Sequence, residues 1–198
     1  MGFLDSILGR SKPAKPDLDQ LFGLPSAAIT LQASLDFAPT GAGSVAFRAA
    51  EGRAFADLQT EIQALLDADG GPRVVSEQDA YGYTWLVCRT EPPDVSALVT
   101  DLHAVNSTLQ DHGFGPTLLC SLVGFVDPEG RHLGLVYLYK QGTFYPFAPT
   151  SGGTTLAGNT PQQRDNLLEL QVKDLLADDI RVEKDLARWF PVWGAPGL

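Results

Sequence analysis

This chain of 198 residues is poor in the residue types that most often carry chemistry, with two cysteines, three histidines and one methionine. Cys88 and Cys120 form no CxxC pair, and each sits in an apolar, strand-like run, so both are expected as buried reduced thiols. His103, His112 and His132 fit neither HxxxH nor HExxH, so no metal site is expected. Bases are scarce too. Lys and Arg number 14 against 24 Asp and Glu, a net charge of −10, and without a basic stripe a general nucleic-acid binder is excluded. No apolar run approaches the roughly 18 residues needed to span a bilayer. The first ten residues lack the basic leader and small-residue cleavage site of a secretory signal, which implies a cytoplasmic protein.

Catalytic signatures are missing as well. With no GxSxG elbow and no SxxK pair, a hydrolase would have to use Ser121, inside a strand-like run, with His132 beside a turn. Gly41-Ala42-Gly43 lacks the third glycine of a dinucleotide loop, and no GKS or GKT follows Ser151-Gly152-Gly153. The acids at Asp67, Asp69, Asp178 and Asp179 do not follow a calcium loop. These absences point to a non-enzymatic protein without a cofactor.

What is present is a globular pattern, 44% hydrophobic and 9% aromatic, of single-domain length. From Asp17 the expected order is a short helix to Phe22, strands over 28–32 and 44–48 joined at Gly41 and Gly43, and a helix over 53–68. A largely buried strand follows over 81–88. Asp94 then caps a helix whose stripe is Val95, Leu98, Leu102, Val105 and Leu109, with Gly113 past its end. His103 and Asp101 should flank that stripe and point largely to water. Runs over 118–126 and 133–140 make a hairpin about a type I turn at Asp127-Pro128-Glu129-Gly130, and 143–147 can be only a short or edge strand. After a loop at 151–158, the capping box Thr160-Pro161-Gln162-Gln163 predicts a helix to residue 177, and a last short helix is expected over 182–190. The sum is an α+β fold, a mainly antiparallel sheet of five or six strands with packed helices, over residues 17–198.

Residues 1–16 stand apart. Phe3, Leu4, Ile7 and Leu8 form one apolar stripe of a short amphipathic helix, and Ser11-Lys12-Pro13-Ala14-Lys15-Pro16 reads as a semi-extended tether. Arg10, Lys12 and Lys15 against Asp5 leave this arm at +2 and the rest of the chain at −12. An apolar stripe with a basic flank suits a partner groove or a peripheral membrane contact. A second candidate surface is the aromatic set Tyr137, Tyr139, Phe144, Tyr145 and Phe147, which could line a small-molecule or peptide pocket.

The strings MGFLDSILGRSKPAKP, YGYTWLVCR, VTDLHAVNS through GFGPTLLCSLVGF, and LVYLYKQGTFYPFAP resemble the actinobacterial PspA-associated protein family PspAB over nearly the whole chain. The resemblance implies an accessory role in the phage-shock envelope-stress response, with PspA as partner, because members are typically encoded beside PspA and some beside an HtpX-like membrane metalloprotease. It carries no catalytic or ligand residues across. The expected function is therefore an adaptor that binds PspA or modulates its membrane association through the arm, at the inner face of the cell membrane.

Overall fold

The computed structural model describes residues 16–48, 55–68, 72–79, 81–150 and 162–198. Residues Leu18–Gly23 form a 3-10 turn that runs into helix α1, Leu24–Leu35. A strand was expected over 28–32, and the structure corrects this. Leu24, Ala27, Ala28 and Leu31 are buried at the i, i+3, i+4, i+7 spacing of one helical face, while Ile29 is 72% exposed. Pro25 sits in the first turn, where its missing N–H costs nothing, and Asp36 closes the helix at φ 58°.

Strand β1, Ala38–Phe47, is longer than the expected 44–48 because the presumed connection lies inside it. Gly41, at φ 77°, takes up a bulge where the pairing register slips between Pro39 and Gly43. Helix α2, Phe55–Ala68, matches expectation, and the short strand β2, Val75–Gln78, was not anticipated. Strand β3, Thr84–Arg89, is followed by helix α3, Val95–Leu109, whose Asp94 cap accepts the Ala97 N–H at 3.0 Å. All five stripe residues of α3 are buried. Strands β4, Leu118–Val126, and β5, His132–Leu138, form the expected hairpin, closed by the Gly130 N–H on the Asp127 carbonyl at 3.0 Å. Strand β6, Thr143–Phe147, lies at the sheet edge as expected.

These six strands make one antiparallel sheet in the order β2-β3-β1-β4-β5-β6, so the fold is α+β. Alternation along the strands sends Val45, Leu86, Val123, Leu135 and Phe144 to a core shared with Leu31 of α1 and Leu102 of α3. The opposite face presents Ala46, Trp85, Cys120, Leu122, Val136 and Tyr145, and none of helices α1 to α4 among the described residues covers it. The C-terminal tail does, through Trp189 and Ala195.

Two further corrections concern the C-terminal third. The capping box fails because Gln163 pairs with Thr150 in a two-stranded ribbon of β7, Pro149–Thr150, and β8, Gln163–Arg164. Thr160 and Pro161 lie outside the described residues, as does the loop at 151–158. Helix α4 is Asn166–Leu175, capped by Asp165, which accepts the Leu168 N–H at 2.9 Å. The helix expected over 182–190 is a single 3-10 turn, Leu186–Arg188. The chain before it is extended because Val182 bridges Phe144 along the β6 edge, the Phe144 N–H reaching Arg181 and the Glu183 N–H reaching Phe144. No helix among the described residues is long and apolar enough to cross a membrane.

Candidate functional site

The tail's last residues lie in a trough of small side chains on the sheet face opposite α1 and α3. Ser44 Oγ donates to the Pro196 carbonyl at 2.8 Å, Thr40 Oγ1 to the Gly124 carbonyl at 3.1 Å, and a Cβ on Gly134 would fall 2.9 Å from a Leu198 methyl carbon. Earlier in the tail, Arg188 and residues 190–193 border a cleft of about 720 Å³ on the same face. That is within the range of roughly 300–1,000 Å³ typical of small-molecule and peptide sites. One cross-strand row, Trp85, Ala46, Cys120 and Leu138, makes the floor. Tyr81 and Tyr83 form one wall, Phe190 and Trp193 the other, and Lys140 and Arg188 are its cations.

Each wall has an identifiable hold. On the sheet side the Asp79 carboxylate gathers three donors: its Oδ1 accepts the Tyr81 and Tyr83 N–H groups, each at 2.9 Å, and its Oδ2 accepts Trp85 Nε1 at 2.9 Å. One acid thus folds the β2–β3 connection and fixes the indole in the floor. Asp79→Ala is expected to cost about 1–2 kcal/mol, the worth of charge-assisted bonds that are only part-buried, and to change tryptophan emission. Urea unfolding followed by fluorescence checks both; an unchanged emission spectrum would remove Asp79 from this role.

On the tail side, Tyr145 Oη donates to the Phe190 carbonyl at 2.8 Å, and its ring stacks on Trp189 with centroids 5.9 Å apart. Burial pushes this phenol up, so it stays a protonated donor. Trp189 Nε1 donates to the Glu183 carbonyl at 3.1 Å. The Glu183 side chain accepts Thr143 Oγ1 at 2.8 Å and the Asp185 N–H at 2.9 Å, with Arg188 Nη1 at 3.6 Å. Burial alone would raise its carboxyl, but these hydrogen bonds and the Arg188 charge outweigh burial and hold it below the usual carboxylate range. A depressed carboxylate contributes stability that is present above its unfolded value, near 4.5, and lost as pH falls through the folded value. The tail is therefore expected to loosen progressively as pH falls below the unfolded value, near 4.5, read as rising acrylamide quenching of the tryptophans, and Glu183→Gln should remove that acid step.

The structure separates the five aromatics that the sequence grouped. Tyr137, Tyr139 and Phe144 pack in the helix-side core, with Tyr137 Oη donating to the Asp17 carbonyl at 2.8 Å, whereas Tyr145 and Phe147 face the tail. Of the five, Tyr145 lines the cleft. Phe3, Leu4, Ile7, Leu8, Arg10, Lys12 and Lys15 lie outside the described residues. Ser121 is buried and accepts Asn106 Nδ2 at 2.9 Å, and it pairs with Tyr137, five residues along β5 from His132. At about 3.3 Å per residue the two cannot form a nucleophile–base couple. His103, expected to face water, instead packs half-buried on Phe22 with ring centroids 5.0 Å apart, and its Nε2 lies 3.5 Å from Asp19. His112 caps the end of α3, Nδ1 lying 2.8 Å from the Thr108 carbonyl. Both cysteines are buried as expected, and burial pushes each thiol up to about 12, with Asp101 adding to the effect on Cys88.

Sequence reasoning missed Asp79 and the pairing of Tyr81, Tyr83 and Trp85 with Phe190 and Trp193. The usable signal is Tyr81-Gly82-Tyr83-Thr84-Trp85, three aromatics at alternate positions, although the structure turns the first two about Gly82, at φ 82°, before β3 begins at Thr84.

A family model described as PspA associated protein B matches residues 1–197, and the chain belongs to that family. Neither the curated proteins nor the solved structures give a match to it.

Proposed function

We propose that this member of the PspA associated protein B family is a non-enzymatic accessory protein of the envelope-stress response that binds PspA, or modulates its membrane association. The contact surface is the stripe of Phe3, Leu4, Ile7 and Leu8, flanked by Arg10, Lys12 and Lys15. The observation that carries this reading is the reversal of charge at the tether: residues 1–16 stand at +2 and the remaining chain at −12. An apolar stripe beside a small basic cluster fits a partner groove or an anionic inner-membrane surface, and ten residues would hold either one reversibly. Family membership supports PspA as the partner.

Calorimetric titration of the cognate PspA into the full chain, and into the full chain carrying Phe3→Asp and Ile7→Asp, tests this. Binding by the parent with at least a tenfold loss in the variant is the expected result. Equal binding that weakens with salt would move the contact to the acidic body, and no binding by either would end the PspA reading. The cleft favours a second reading, a small-molecule or peptide-binding module, for which native mass spectrometry of the purified chain should show a retained ligand whose retention is lost on Trp85→Ala.

A further inference from the structure

We propose that the cleft binds a single-chain anionic amphiphile, an acyl chain ending in a carboxylate or a phosphate, with its chain along the floor and its head at Lys140. The inference rests on the cleft-binding reading above and does not involve PspA. The polar atoms of the floor are already engaged: Trp85 Nε1 donates to Asp79, and Tyr145 Oη to the Phe190 carbonyl. A sugar or nucleotide laid there would give up its water contacts without gaining partners, which is costly. An acyl chain has none to give up and gains by covering apolar surface. Tyr81, 62% exposed, and Phe190, 59% exposed, line the cleft and supply that surface beside the floor. The floor row crosses three inter-strand spacings, about 14 Å in all, the reach of a medium-length acyl chain.

Charge fixes which way the amphiphile lies. The floor row begins beside acids, since Trp85 pairs with Glu77 on β2 and its indole is held by Asp79. It ends at Leu138 on β5, where the turn into β6 brings Lys140 and Gln141 to the cleft. Arg188 reaches the same end, Nη1 lying 3.3 Å from Gln141 Oε1, but its charge is already shared with Glu183 at 3.6 Å and Asp185 at 3.5 Å. Lys140 is exposed and makes no ion pair among the described residues. In a chain of net charge −10, an apolar slot thus has an unneutralised cation at one end and acids at the other. An anionic head is drawn to the Lys140 end and repelled from the Glu77 end. A cationic head in the reverse direction would meet Asp79, whose oxygens already accept three donors, and Glu77, which does not line the cleft.

Decanoate, decyl glucoside and decyltrimethylammonium share one tail and differ in the head. Each is titrated, below its micelle concentration, into the full chain and into the full chain carrying Lys140→Glu. Trp85 and Trp193 line the cleft, so their indole N–H resonances report its occupancy. Decanoate is expected to shift both and to bind about fivefold more tightly than the other two, the upper end for one exposed ion pair. Lys140→Glu should remove that advantage and leave decyl glucoside unchanged. Equal binding of the three heads, decanoate binding that survives Lys140→Glu, or a loss that decyl glucoside shares overturns the anionic class while the cleft-binding reading stands. Failure of all three to shift Trp85 and Trp193 overturns both. Vesicles of phosphatidylglycerol separate the two sources of an anionic acyl chain: a Trp85 shift that Lys140→Glu weakens assigns a membrane lipid, and decanoate binding without a vesicle shift assigns a free acid, each in keeping with the proposal.

Discussion

Replacing Glu169 by alanine is expected to destabilise the protein by about 3 kcal/mol, the scale of breaking a buried ion pair by removing one partner. Glu169 Oε1 accepts Arg164 Nε at 2.8 Å and the Ala148 N–H at 2.9 Å, and its side chain is 3% exposed. Arg164 in turn donates from Nη1 to the Trp189 carbonyl at 2.7 Å and lies over the Phe147 ring at 5.1 Å. One carboxylate on α4 thereby ties the chain after β6 to the tail that walls the cleft. Without it the Ala148 N–H loses its acceptor and the guanidinium its counter-charge, at a site where Arg164 Nη2 already has no partner among the described residues. Urea unfolding at unchanged m-value measures the loss. The double variant Arg164→Met, Glu169→Leu should recover much of it, because both buried charges then disappear together. If the double variant is as unstable as Glu169→Ala, the cost lies in the Ala148 bond rather than in the pair.

What could be read in the sequence follows from how local each signal is. The α3 stripe with Asp94 before it, and the β4–β5 hairpin around Asp127 and Gly130, are written in consecutive residues, and the structure has both. The α1 segment reads as a strand because Ile29-Thr30-Leu31-Gln32 alternates apolar and polar, while the helical period shows only once Leu24 and Ala27 are included. The Thr160 capping box failed for the opposite reason: a valid local pattern was overridden when Gln163 and Arg164 paired with Pro149 and Thr150. The cleft was the least legible feature. Its walls come from residues about a hundred positions apart, and the aromatic density of 137–147 drew attention to side chains that strand alternation divides between two faces. Trp85 and Trp193 line one cleft only because the C-terminal tail crosses this face of the sheet, and no periodicity encodes that crossing.

That crossing yields a prediction of similar size. Gly124→Ala is expected to lift the tail's last residues off the sheet, because the new Cβ would overlap the Gly197 carbonyl oxygen and lie 2.9 Å from Thr40 Oγ1. Gly124 is held in β4 by its pairing with Gly134 on β5 and faces the β1 bulge between Pro39 and Gly43, so the chain's end is the part most free to move. Relief must come from the tail, at the cost of the bonds from Ser44 to Pro196 and from Thr40 to Gly197, and of the edge-on contact of Trp193 with Phe147 at 4.9 Å between centroids. Overpacking of this kind typically costs about 1–3 kcal/mol, and here it should appear as a red-shifted tryptophan emission and faster carboxypeptidase trimming of the tail. Ser44→Ala, which removes one tail bond and adds no atom, should move the same readouts in the same direction by about 1 kcal/mol or less. A Gly124→Ala protein whose tail stays protected would mean that the trough accommodates a methyl group and that the tail is not held by close backbone approach. A lifted tail would also take Trp193 out of the lining of the cleft.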